Sequence, residues 1–141
     1  MSDPFRLQRF IDAQDEVYED VVAELRAGQK RTHWMWFVFP QVAGLGRSAT
    51  AELYAIQSLD EAKAYLTHPL LGGRLRECTQ LKLDMRDKTA RQILGNPDDL
   101  KFFSSMTLFA HAAPTEPLFR DALAKYFDGR EDAMTAELLQ E

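Results

Sequence analysis

Apolar side chains recur every three or four positions from the start of the chain. After Asp3 and Pro4, a plausible cap and first turn, Leu7, Phe10, Ile11, Val17, Tyr18, Val21, Val22 and Leu25 share one face, and Gly28 stands where a helix ends. The spacing predicts one amphipathic helix between Asp3 and Gly28. Its other faces carry Asp12, Asp15, Glu16, Glu19 and Asp20, read as a solvated surface. Ser48 can cap a helix through Ala49, Leu53, Tyr54 and Ile56. Ser58 and Glu61 have the spacing of a capping box ahead of Ala62, Ala64, Tyr65 and Leu66, and His68-Pro69 ends that helix. From Pro69 to about Met85, Leu71, Leu75, Cys78 and Leu81 form one face, with Gly72 and Gly73 tolerated if another element packs very close. Thr89 starts a short helix ending at Gly95, and Asn96-Pro97 begins the next, over DDLKFFSSMTLFAHAA. Beyond Pro114 and Pro117, the residues Leu118, Leu123, Tyr126 and Phe127 make a helix stopped by Gly129, and Asp132 caps a last one with Met134, Leu138 and Leu139.

One stretch breaks the rhythm. Lys30 to Ser48, KRTHWMWFVFPQVAGLGRS, holds both tryptophans, Phe37, Phe39, Pro40 and His33. So much aromatic area is stable only in a core or a pocket, so this segment is the hub of the fold, the floor of a site, or both. Outside it no alternating or β-branched run of strand length occurs. The expectation is an all-α fold of about seven helices, several short, packed as a single domain over residues 1–141 around the Trp-x-Trp-Phe-x-Phe-Pro-Gln hub.

Composition adds exclusions. The 141 residues suffice for one core, and 45% hydrophobic with 28% charged residues is the balance of a globular chain. A net charge of −5 argues against a nucleic-acid partner, and Lys30-Arg31 is the only adjacent basic pair near the hub. The single cysteine, Cys78, can form no internal disulfide. The first residues, MSDPFRLQRF, lack the basic and apolar regions of a secretory signal, and Trp34 to Val42 is too short to span a bilayer. A cytoplasmic location with no membrane partner is expected.

Gly44-Leu45-Gly46-Arg47-Ser48-Ala49 fits a loose dinucleotide fingerprint, but Pro40 suits no central strand and no further strands complete a βαβ unit. What survives is a glycine-hinged turn with Arg47 and Ser48 at a helix start, a place where an anion can bind, although the glycines more simply let the chain turn. His33, His68 and His111 occur singly, so no metal is expected, and no cofactor motif remains. Ser48 lies outside a nucleophile elbow, and Cys78 reads as a buried apolar residue. Lys101, Ser104, Ser105, Thr107 and His111 form a polar cluster among Phe102, Phe103, Met106 and Phe109, which is read first as helix packing.

The motifs HWMWFVFPQ (residues 33–41), GLGRS (44–48), YAI (54–56), THPLLGGRLREC (67–78) and DDLKFFSSMTLFA (98–110) resemble an uncharacterised bacterial family catalogued as domain of unknown function 1810. The resemblance covers nearly the whole chain. It implies a compact, mainly helical, single-domain fold and leaves the function to the residues themselves.

Three readings of function stand. In the first, Trp34, Trp36, Phe39 and Gln41 line a site with Arg47 and Ser48 at its rim and Lys101, Ser104, Ser105 and Thr107 opposite, binding a small anionic or aromatic ligand of the nucleotide kind, or a peptide. In the second, a small metal-independent enzyme uses His33 as acid or base. In the third, the hub is purely structural and another surface meets a protein partner.

Overall fold

The computed structural model describes residues 3–140 and is all-helical. Ten helices occur among the described residues: α1 (Gln8–Asp15), α2 (Tyr18–Ala27), α3 (Met35–Val38), α4 (Ala49–Leu53), α5 (Leu59–Thr67), α6 (Leu71–Asp84), α7 (Ala90–Leu94), α8 (Asp98–Ala112), α9 (Pro117–Phe127) and α10 (Ala133–Leu139). The capping signals mark the starts. Ser48 Oγ accepts from the Ala51 amide, Ser58 Oγ from Glu61, and Thr89 with Gln92 makes a reciprocal capping box. His68 closes α5, and its Nδ1 accepts from the amides of Leu70 and Leu71, so the same side chain starts α6.

Two features extend the sequence expectation. The first expected helix is two. Asp3 caps it through the Leu7 and Gln8 amides, but Val17 leaves the helical region (φ −129°, ψ −3°), and the chain bends. The apolar phase runs on across the bend, which is why periodicity alone does not reveal it. The bend lets α1 reach α3 while α2 lies along α6. The hub contains a single helical turn, α3, and its one β-like feature is an isolated parallel bridge between Val42 and Ile56.

The central element is α8. Nine of its fifteen residues are buried, including Phe102, Met106, Leu108 and Phe109, so it is enclosed on most sides rather than amphipathic. Aromatic rings radiate from it: Phe39 of the hub meets Phe102 edge-on at 4.9 Å, Tyr65 meets Phe109 at 5.5 Å, and Phe109 meets Phe119 at 5.8 Å. A contiguous apolar cluster runs from Leu7 to Leu123.

Between α5 and α6 the backbones touch. A Cβ on Gly72 would lie 2.1 Å from the Leu66 carbonyl oxygen, whereas one on Gly73 would meet open space. The buried face of α6 also differs from its apolar reading, because Lys82 is fully buried and Leu81 only half so.

Arg9 clips the N-terminal half together. Its guanidinium donates to the carbonyls of Phe5 (2.6 Å), Arg6 (2.9 Å), Leu53 (2.8 Å) and Ala55 (3.0 Å) and pairs with the buried Glu61 carboxylate at 2.9 Å. Removing it leaves Glu61 an uncompensated buried charge. Arg9→Ala is therefore expected to lower the unfolding free energy by about 3 kcal/mol, measured by urea denaturation with an unchanged slope.

Candidate functional site: a cationic recess beside Trp36

The hub is held by one carboxylate. Glu24, on α2, accepts hydrogen bonds from the amides of Arg31 (2.7 Å) and Thr32 (3.0 Å), the Thr32 hydroxyl (2.7 Å) and the Trp34 indole N–H (3.0 Å). Burial alone would raise this carboxyl, but the bonds to Arg31, Thr32 and Trp34 outweigh it and hold it at about 2. The Lys30 amide donates to the Ile93 carbonyl at 2.7 Å, tying the same stretch to α7. With residues 30–34 fixed on both sides, Trp34 goes into the core with no exposed surface. Trp36 sits two residues further on, at the second position of α3, and is half-buried.

A recess of about 400 Å³ opens where this segment meets the start of α8. Lys30, Arg31, His33, Trp36, Asp98 and Lys101 line it, with Leu94 and Pro97 as apolar wall. Lys30 Nζ is 2.8 Å from Asp98 and 5.2 Å from the centroid of the Trp34 ring. Lys101 Nζ is 3.6 Å from Asp98 and 4.8 Å from the Trp36 centroid. Two lysines, an arginine and a histidine thus line a recess that holds one carboxylate. On a chain of net charge −5, this is a local reversal of sign.

Two other recesses lack that convergence. The larger of these two, about 610 Å³, lies between the N-terminal turn and α5, lined chiefly by Phe5, Leu7, Ile11 and Ala64 with Asp3 and His68. Asp3 and His68 already cap helices there. The other, about 340 Å³, gathers Asp15, Glu16, Glu19 and Asp20 around Arg74 and Tyr18.

The residues singled out by sequence separate into groups. His33, Trp36 and Lys101 meet at the cationic recess. Trp34 does not line it, since its ring is core and its N–H belongs to Glu24. Gln41 is half-buried, and its carbonyl accepts from the Ile56 amide in the bridge. Arg47 and Ser48 are exposed at the start of α4, where Ser48 is spent on the cap, and neither reaches the recess. Two hydroxyls of α8 are engaged with the start of α10. Ser104 Oγ lies 2.8 Å from the Asp132 carboxylate, Thr107 Oγ1 accepts from the Asp132 amide at 2.9 Å, and Thr135 donates to the same carboxylate at 2.5 Å. Together they fasten the start of α10 onto α8. His111 belongs to the same attachment, 2.9 Å from Glu131, which also takes Arg120 at 2.6 Å. The hydrogen bond from His111 is the chief reason the Glu131 carboxyl lies below its ordinary value. Ser105 is buried, and its Oγ has no hydrogen-bond partner among the described residues.

Burial pushes the Cys78 thiol up to about 12, so it is no thiolate at neutral pH. Among the described residues no cluster of three or more His, Cys, Asp or Glu side chains is placed to hold a metal, and no helix is long and apolar enough to cross a membrane. Lys30, Arg31, Asn96, Pro97 and Asp98 enter the site only through the fold. The one sequence signal was the basic pair abutting the aromatic run.

The fold has a close counterpart among solved structures. The crystal structure of the conserved hypothetical protein Rv1873 from Mycobacterium tuberculosis is similar with a TM-score of 0.97 and 56% sequence identity, covering 99% of each chain. No curated protein matches. The model of the family described as "Protein of unknown function (DUF1810)" matches residues 4–139. The chain, whose tryptophan motif and α8 motif lie within that span, therefore belongs to the DUF1810 family.

Proposed function

We propose that this protein is a binding domain for a small, planar, anionic ligand of the nucleotide kind, taken up in the recess between Lys30, Trp36 and Lys101. The observation that carries the reading is a recess of about 400 Å³ lined by Lys30, Arg31 and Lys101 beside the half-buried Trp36, whose ring centroid lies 4.8 Å from Lys101 Nζ. That volume is of the order of a small-molecule site, too small for more than a short stretch of peptide. Stacking on Trp36 suits a planar ring, and Arg31 and Lys101 suit a phosphate or carboxylate. Lys101 covers the ring in the free protein, and its flexible stem lets the ammonium turn toward the ligand's anion while the ring accepts the base. Residues 1–141 act as one domain in this reading, with Glu24 holding the basic wall in place.

An enzymatic role for His33 has less support. The one carboxylate in the recess lining, Asp98, is engaged by Lys30 and Lys101, which leaves none there to orient an imidazole.

Isothermal titration with adenosine monophosphate, adenosine and inorganic phosphate tests the proposal. Adenosine monophosphate is expected to bind more tightly than either fragment. Trp36→Ala and Lys101→Ala are each expected to weaken it about tenfold or more, a loss of about 1.4 kcal/mol, with the melting temperature little changed because both side chains are partly exposed. Equal binding by the two variants and the parent would sink the assignment.

A further inference from the structure

Lys82 is the odd member of the core. It lies on α6, one turn after Cys78, is fully buried, and its Nζ has no hydrogen-bond partner among the described residues. The ammonium position is 4.3 Å from the Phe102 centroid on α8 and 4.9 Å from the Tyr126 centroid on α9, so side chains of three helices meet at it. The surrounding backbone is latched from α9. The Tyr126 hydroxyl donates to the Lys82 carbonyl, and Lys125 Nζ donates to the carbonyls of Leu83 and Met85. The charges acting on the buried amine are Asp99 of α8, which favours the ammonium, and Lys125 of α9, which opposes it. Cys78 and Tyr126, the other titratable groups nearby, stay neutral up to about 12.

We infer that opening of α9 away from α6 and α8 is coupled to uptake of one proton at Lys82 Nζ, so that the junction closes more firmly as pH rises above neutrality. The geometry supports it: with α9 in place the amine is fully buried against the Phe102 and Tyr126 rings with no acceptor among the described residues, and a charged amine suffers more from that burial than a neutral one. Burial lowers the Lys82 ammonium from 10.5 to about 7. Between those values the closed form carries a neutral amine and the open form an ammonium. The opening constant therefore rises about tenfold for each unit the pH falls, and flattens below about 7, where both forms are protonated.

Hydrogen exchange of the α9 amides, corrected for intrinsic rates and followed from pH 6 to 9, tests this in the intact protein. The parent is expected to show an opening constant that climbs about thirtyfold or more from pH 9 to 7 and then levels. Lys82→Met is expected to show none of this dependence. A flat profile in the parent, an equal slope in the variant, or the same slope in the amides of α1, which would mean global unfolding, overturns the inference. An NMR titration of the Lys82 ε-methylene in the unaltered chain gives an independent reading. A midpoint near 7 supports the coupling, and a midpoint above 9 refutes it.

Discussion

Glu24→Ala is expected to destabilise the fold by about 3 kcal/mol and to release the aromatic segment, because it strips the acceptor from two amides, a hydroxyl and a buried indole at once. The Trp34 N–H has no way to recover the bond without leaving the core. Glu24→Gln keeps one acceptor oxygen but turns an amide toward the donors, so its loss is expected to be roughly half as large. The pH profile separates charge from shape. The Glu24 carboxyl ordinarily titrates at 4.5 and in the fold at about 2, so its contribution is complete above 4.5 and disappears as pH falls toward 2. Urea denaturation at pH 7 and at pH 3 reads this directly. The gap between parent and Gln variant is expected to narrow at the lower pH, and a gap that persists unchanged would mean that ionisation of Glu24 contributes nothing. The same substitution reaches the recess, since Arg31 is carried by one of the amides that Glu24 holds.

Gly72→Ala is expected to cost about 3 kcal/mol or more, while Gly73→Ala, one residue on, is expected to gain about 0.5–1 kcal/mol. The contrast comes from space alone, because both positions lie in α6. A methyl at Gly72 meets the Leu66 carbonyl at 2.1 Å and the Arg76 guanidinium at 2.8 Å, and a backbone oxygen held at the end of α5 cannot step aside. At Gly73 the methyl meets nothing, and alanine reduces the freedom of the unfolded chain. Thermal melts of the two single variants check the pair. Equal shifts in the same direction would show that helix propensity, not the α5–α6 contact, governs this turn.

How much of this was legible beforehand follows the range of the interactions. Ser48, Ser58, Thr89, Pro117 and the His68-Pro69 pair act on amides within four residues, and their helices begin or end where those signals stand. The bend at Val17 was not legible, because it keeps the apolar phase and changes only direction. Lys82 was hidden by the helical repeat: Leu81 and Lys82 both follow Cys78 by about one turn, and only the packing of α8 and α9 decides which is enclosed. Nothing in the helical spacing marks Glu24, because its partners arrive only when the chain folds back seven to ten residues later.

The site shows the same division. The aromatic run and Lys101 were visible as separate features, 65 residues apart between Trp36 and Lys101. Their meeting depends on the Lys30 contacts to Ile93 and Asp98. Ser104 and Thr107 stand out in the sequence as polar positions within an apolar helix, and the cause lies in Asp132, which no spacing within α8 announces.

The two tryptophans provide the most direct test of the binding proposal. Each indole N–H gives one signal in a proton–nitrogen correlation spectrum, and Glu24→Gln identifies that of Trp34 by shifting it. On titration with adenosine monophosphate, the Trp36 signal is expected to move saturably while that of Trp34, sealed in the core, stays in place. Movement of neither signal at millimolar nucleotide, or changes confined to residues away from the Lys30–Trp36–Lys101 recess, would contradict the account.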